Sequence, residues 1–196
     1  MRVGARCIEV GAGAVLAALV VAGCADAPVA TGPPPTTAAP APVVVSAVDT
    51  GYARMMLGHH EQALELSALV GGRSSSPDVA DLAFRIDRAQ VEEVGRLQGF
   101  LRLRGAPTDP GPMAAMPGMA DAATLARLRA LSGPAFDRLW LQTMTAHHEG
   151  ALTMARTQLD RTGGAASTSS LAEFSRTLLV SQQAEIDRMR GLLARS

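Results

Sequence analysis

Apolar side chains recur at steps of three and four along four long stretches of the chain, and glycine or proline marks the breaks between them. The first stretch, about 47–70, carries Tyr52, Met56, His59, Ala63, Leu66 and Val70 in one stripe and ends at Gly71-Gly72. The second, roughly 78–104, carries Leu82, Ile86, Gln90, Glu93, Leu97 and Leu101 and ends at Gly105 and Pro107. The third starts after Ser132-Gly133-Pro134 and runs to about Arg161, with Phe136, Trp140, Met144, His147, Ala151, Met154 and Gln158. The fourth, roughly 169–194, carries Leu171, Phe174, Leu178, Gln182, Glu185, Met189 and Leu192. A shorter helix over about 122–131 precedes the third stretch. The spacing is that of amphipathic helices, and nothing in these stretches alternates as a strand would.

The pattern is duplicated. Met56-x-x-His59-His60-Glu61-x-Ala63-Leu64 matches Met144-x-x-His147-His148-Glu149-x-Ala151-Leu152 at an offset of 88 residues. Gln90-x-x-Glu93-Val94-x-x-Leu97 likewise matches Gln182-x-x-Glu185-Ile186-x-x-Met189. Each repeat is a helical hairpin, a His-His-Glu helix followed by a Gln-x-x-Glu helix. One hairpin cannot bury its own apolar stripe, so two together predict an all-α antiparallel four-helix bundle with a pseudo-twofold axis.

The stripes hold polar residues that are rarely buried without a partner. Gln90, Glu93, Gln182 and Glu185 interrupt one pair of helices, and the chain's four histidines the other. Counted from the interhelical turns, these groups fall in one layer of the bundle. Neighbouring residues on a helix differ by about 100°, so His59 and His147 are expected to face the axis. His60 and His148 then flank the interface, each four residues after a methionine, Met56 or Met144. Glu61 and Glu149 point away and are supporting or surface groups; Gln90 and Gln182 support the layer from the partner helices. Two chemistries fit. In one, the layer is a metal-free hydrogen-bond network, with Glu93 and Glu185 accepting from the inner histidines and fixing helix register. In the other, imidazole, thioether and carboxylate groups hold a transition metal. The ligands are then His59, His60, His147 and His148, with Met56, Met144, Glu93 and Glu185 as further donors or orienting groups.

Composition narrows the surroundings of this domain. Aromatics make up only 3% of the 196 residues, so the core is built from aliphatic side chains and methionine. The net charge is zero and no basic stripe exists, which argues against nucleic acid. Residues 1–23 read as a leader, with Arg2 and Arg6 ahead of an apolar run from Ile8 to Val21 that is short for a membrane span. The run ends in Val21-Ala22-Gly23-Cys24, similar to the lipobox of bacterial lipoproteins, which makes Cys24 the expected lipidated residue and the membrane the expected anchor. Residues 24–45 form a Pro/Ala/Thr-rich linker expected to be disordered, and residues 46–196 form the bundle domain. A loop over 105–121 contains Met113, Met116 and Met119; it reads as apolar filler over a bundle end, with copper(I) ligation as the alternative.

The segments Met55-Met56-Leu57-Gly58-His59-His60-Glu61-Gln62-Ala63 and Phe136 to Ala151, with Met116-Pro117-Gly118-Met119 between them, resemble the signature stretches of the domain of unknown function 305 family. The resemblance covers about residues 48–194. It implies a ferritin-like four-helix bundle, secreted or lipid-anchored, and a link in some members to copper binding and tolerance. The chain departs from the family pattern at Thr143-Met144-Thr145, where many members carry a second Met or Ile, and it lacks the Glu-x-x-His pairs of di-iron bundles. No catalytic constellation is present, so the chain is not expected to be an enzyme. The expectation is an extracytoplasmic lipoprotein that binds metal, copper as Cu(I) or Cu(II) ahead of zinc. A homodimer or an envelope protein is the further partner considered. The alternative is a structural or protein-interaction lipoprotein with a metal-free polar layer.

Overall fold

A computed structural model describes residues 47–110, 116–164 and 169–195. The leader, the linker, Cys24 and Met113 lie outside the described residues. Among the described residues five helices form: α1 (Ala47–Ala68), α2 (Pro77–Arg102), α3 (Ala122–Ala130), α4 (Gly133–Arg161) and α5 (Ser170–Leu193). Each predicted helix is present and shifted by a residue or two at its ends. Local chemistry sets several of these ends. Ser76, Asp121 and Ser169 each accept a hydrogen bond from the backbone N–H three residues on, at Val79, Thr124 and Ala172, which satisfies one of the amides a helix start leaves open. Pro77 follows the Ser76 cap at the first helical position, where the missing N–H costs nothing.

The long helices make an antiparallel four-helix bundle of two hairpins. Packing is most extensive within the hairpins, α1 on α2 and α4 on α5; α1 also packs on α4, and α2 meets α5 less closely. The α1–α4 seam is antiparallel and nearly symmetric about the histidines. The Trp140 indole N–H donates to the Leu66 carbonyl at 2.8 Å, seven residues from His147 and His59 respectively. At the other end of the seam the Gln158 amide donates to Asp49, eleven and ten residues away. Trp140, Phe136, Met56, Leu57, Met144 and Leu101 are fully buried around this seam and its flanks. Each such side chain contributes about 1.5–3 kcal/mol by leaving water.

The loop after α2 departs from the expectation that it covers a bundle end. Residues 116–120 form a strap laid along the side of the bundle, across α1 and α4 at the level of the histidines. Gln62 holds it with two bonds, its Oε1 accepting from the Ala120 N–H at 2.7 Å and its Nε2 donating to the Ala120 carbonyl at 2.9 Å. Gly118, at φ 77°, and Gly150 on α4 allow the closest approach: a β-carbon on Gly150 would sit 2.0 Å from the Pro117 carbonyl oxygen, and one on Gly118 2.3 Å from that of Ala146. Gln62 and Gly150 occupy the same place in the two repeats, so the duplicated motif diverged there to seat one strap. A bundle-end cover needs only apolar bulk; this strap is placed by specific backbone contacts that a periodicity argument does not register.

Gly150→Ala is therefore expected to lower stability by roughly 1–3 kcal/mol, because the contact is with backbone that cannot step aside. Gly191→Ala on α5, where the nearest atom is the movable end of Arg195 at 3.7 Å, should be neutral or gain up to about 1 kcal/mol. Denaturant unfolding of the two variants checks the contrast; equal effects would mean the strap is not seated as described.

Candidate metal centre

The four histidines come together in one buried cluster. His59, His60 and His148 are completely buried and His147 is 1% exposed. His59 from α1 and His147 from α4 face each other across the pseudo-twofold axis, with ring centroids 3.9 Å apart and planes tilted by 39°. The expectation that these two point inward holds. The expectation that His60 and His148 flank the interface does not. His60 turns toward α2 and its Nε2 lies 2.8 Å from Glu93 Oε2; His148 turns toward α5 and lies 2.8 Å from Glu185 Oε2. The carboxylates thus pair with the outer histidine of each motif, and not with the inner one. The reason is geometric: α1 and α4 each have two bundle neighbours, so two directions about 100° apart are both interior.

The acceptors decide where the ring protons sit. A carboxylate and a backbone carbonyl only accept, so His60 and His148 donate from Nε2 to Glu93 and Glu185. His59 donates from Nε2 to the Pro117 carbonyl of the strap at 3.0 Å. A neutral ring protonated on Nε2 carries its lone pair on Nδ1. The Nδ1 atoms of His59, His60 and His148 are buried and have no hydrogen-bond partner, and neither nitrogen of His147 has a well-formed bond. A carbonyl or carboxylate that fixes the far nitrogen of a ring is a partner that metal-binding histidines also use. Leaving five such nitrogens unpaired costs on the order of 1 kcal/mol or more each, a large outlay for a domain stabilised by about 5–15 kcal/mol in total.

Electrostatics keep the inner pair in the form that can ligate. Burial pushes His59 from its ordinary 6.5 down to about 4, with the Pro117 bond opposing and the nearby His60 and His148 assisting. Burial likewise holds His147 well below 6.5, followed by the like charges its three histidine neighbours would carry.

The other candidates divide. Met56 and Met144 are fully buried in the core next to this cluster in sequence, one turn before the inner histidines. Gln90 and Gln182 are buried one turn before Glu93 and Glu185, each with an unpartnered Oε1. Glu61 is exposed, and Glu149 lies at the surface with its Oε1 2.6 Å from Arg190 on α5, so neither joins the cluster. Pro117, Gln62 and Gly150 were not foreseen. The only sequence signal for them is the unequal residue after each His-His-Glu, Gln62 in one repeat and Gly150 in the other. Among the described residues no three of His, Cys, Asp and Glu converge as a complete ligand set. The cluster therefore offers two facing imidazoles, which suits an ion satisfied by few donors better than one demanding four or more hard ones.

Comparisons with known proteins agree with this architecture. The family described as Domain of unknown function (DUF305) matches residues 49–193. A DUF305 protein of Streptomyces coelicolor, described as secreted, superposes with a TM-score of 0.68 at 34% identity, covering 76% of this chain and 93% of that one. A DUF305 fragment from Deinococcus radiodurans gives 0.70 at 31% identity, covering 77% and 98%. CopM in its Cu(I)-bound form gives 0.61 at 24% identity, covering 75% and 96%. Structures of CopM bound to Cu(II) and to silver and in the apo form are similar too. No curated protein matches the chain. No helix among the described residues is long and apolar enough to cross a membrane.

Stability should fall on mild acidification. His59 and His147 have folded pKa values below the unfolded value, so the unfolded chain binds more protons as the pH drops through about 6.5, and the loss continues down to the folded value. For His59 alone, a change from pH 7 to pH 5 should cost roughly 2 kcal/mol. Unfolding measured across that interval checks it: the pH slope of a His59→Leu/His147→Leu variant should be flatter than that of the wild type.

Proposed function

The chain belongs to the DUF305 family, and from that premise we propose that it is an extracytoplasmic metal-binding protein whose histidine layer holds a soft monovalent cation, copper(I) foremost. The observation that carries this reading is the set of buried, unpartnered Nδ1 atoms on His59, His60 and His148 beside His147, neither of whose nitrogens has a well-formed bond. His59 and His147 are the central ligands, His60 and His148 flank them, and Met56 and Met144 are the soft donors closest in sequence. Glu93, Glu185 and the Pro117 carbonyl orient the rings by fixing their far nitrogens. Bound copper(I) would supply no chemistry beyond its own storage and transfer, and the protein's part is to select and shield it. Selection follows from softness and from the small number of donors on offer, which disfavours zinc.

The relatives support the reading from outside. CopM, of the same fold, has been solved with Cu(I), Cu(II) and silver, and the Streptomyces coelicolor relative is described as secreted. The leader and the lipobox-like Val21-Ala22-Gly23-Cys24 agree with export and anchoring through a lipid on Cys24. Copper buffering or delivery at the cell envelope is the role proposed. The second reading is a structural or partner-binding lipoprotein with no metal. The closed His60–Glu93 and His148–Glu185 pairs, and the lack among the described residues of a three-residue His/Cys/Asp/Glu set, favour it.

Titration of the full chain with Cu(I), Ag(I), Cu(II) and Zn(II), following bound ion and melting temperature together, separates the two. A native-state ligand at 100 times its Kd raises stability by about 2.7 kcal/mol. Cu(I) and Ag(I) should produce such a rise, Zn(II) should not, and His59→Ala/His147→Ala should abolish it. No rise with any ion would leave the metal-free network as the function of the layer.

A further inference from the structure

The pseudo-twofold symmetry of the α1–α4 seam is broken on one side of the histidines. On one side the seam is sealed: Trp140 is fully buried, its indole bonded to the Leu66 carbonyl, and Leu66 is also fully buried. The residues 88 positions away are Tyr52 and Met154. They line a cavity of about 520 Å³, together with Met55, Met116 and Pro117. The hydroxyl of Tyr52 is turned to Ser175 on α5, at 3.0 Å, and so makes no counterpart of the Trp140 seal. Met55 stands where the other repeat has Thr143, and Met154 where it has Leu66. Three methionines thus line the open side, and neither of the two that have a repeat equivalent is matched by a methionine on the closed side.

The cavity borders the histidines. Pro117 forms part of its wall and places its carbonyl on His59 Nε2. Met55 lies one turn before His59 on α1, and Met154 two turns after His147 on α4, each on the face its histidine uses. Met55 is 39% exposed, whereas Met116 and Met154 are 7% and 8% exposed. The lining methionines therefore include one at the solvent side and two that are buried. Thioether sulfur binds Cu(I) and Ag(I) while leaving Zn(II) and Mg(II) alone.

We propose that this methionine-lined cavity is an outer site for a soft monovalent cation, from which the ion passes behind Pro117 to the histidine layer. The outer site stands on the cavity itself; only the hand-over rests on the histidine reading above.

The test uses the full chain carrying methyl-13C methionine and Ag(I), a soft cation without redox chemistry. The methyl signals of Met55, Met116 and Met154 should shift on the first additions. They should still shift in a His59→Leu/His147→Leu variant. Met55→Leu/Met154→Leu should lower the number of bound ions by one and slow filling of the histidine layer at least tenfold. Shifts confined to Met56 and Met144, or cavity shifts that vanish in the histidine variant, would overturn the outer site and leave the histidine reading standing. Cavity shifts without any histidine-dependent binding would support the outer site and remove the histidine reading. No methyl shift in the wild type would overturn the outer site, whether or not the variants fold.

Discussion

The bundle is organised around two imidazoles that face each other at 3.9 Å where α1 crosses α4. Two rings so close and so fully buried cannot both be imidazolium cations, since burial and mutual repulsion act in the same direction. They are held neutral, and their nitrogens must find hydrogen bonds or a metal. Everything nearby responds to that demand. The outer histidines are tied off by Glu93 and Glu185, the strap brings the Pro117 carbonyl to His59, and the unlike Asp49–Gln158 and Leu66–Trp140 bonds pin the two ends of the seam.

The duplication explains both the symmetry and its failure. Two like hairpins give two like histidine pairs, and a single axis passes between them. A single strap, however, can cover only one side of a twofold. The equivalent positions had to diverge: Gln62 grips the strap where Gly150 makes room for it. The same asymmetry runs along the seam, with tryptophan and leucine closing one side and tyrosine and methionines leaving a cavity on the other. A symmetric fold thereby acquires a covered side and an open one.

The unpaired nitrogens are a cost that a metal-free layer leaves without compensation. A metal-free network that fixes register would be stronger if each ring were bonded at both nitrogens. Here three rings are bonded on one side only, always at Nε2, and always to a group that can only accept. That regularity leaves the Nδ1 of each of the three rings buried and without a partner. Stability given up at a site in this way is the usual signature of a surface or core prepared for a ligand.

The sequence by itself determined the helices, the two hairpins, the polar layer and the residue types in it. These follow from a period of 3.6 residues and from a duplication, both of which are local and repeat along the chain. It also placed His59 and His147 on the axis. Only the tertiary structure decided that His60 and His148 are equally interior, that Glu93 and Glu185 bond to those outer rings, and that Nδ1 is left free. A helix with two neighbours has two inward directions, and a single apolar stripe does not separate them. Nor could periodicity place residues 116–120, because a Pro-Gly segment has no repeating face. Its seat is set by backbone contacts with Gln62, Ala146 and Gly150, far away in the chain, and such contacts exist only once the bundle has closed.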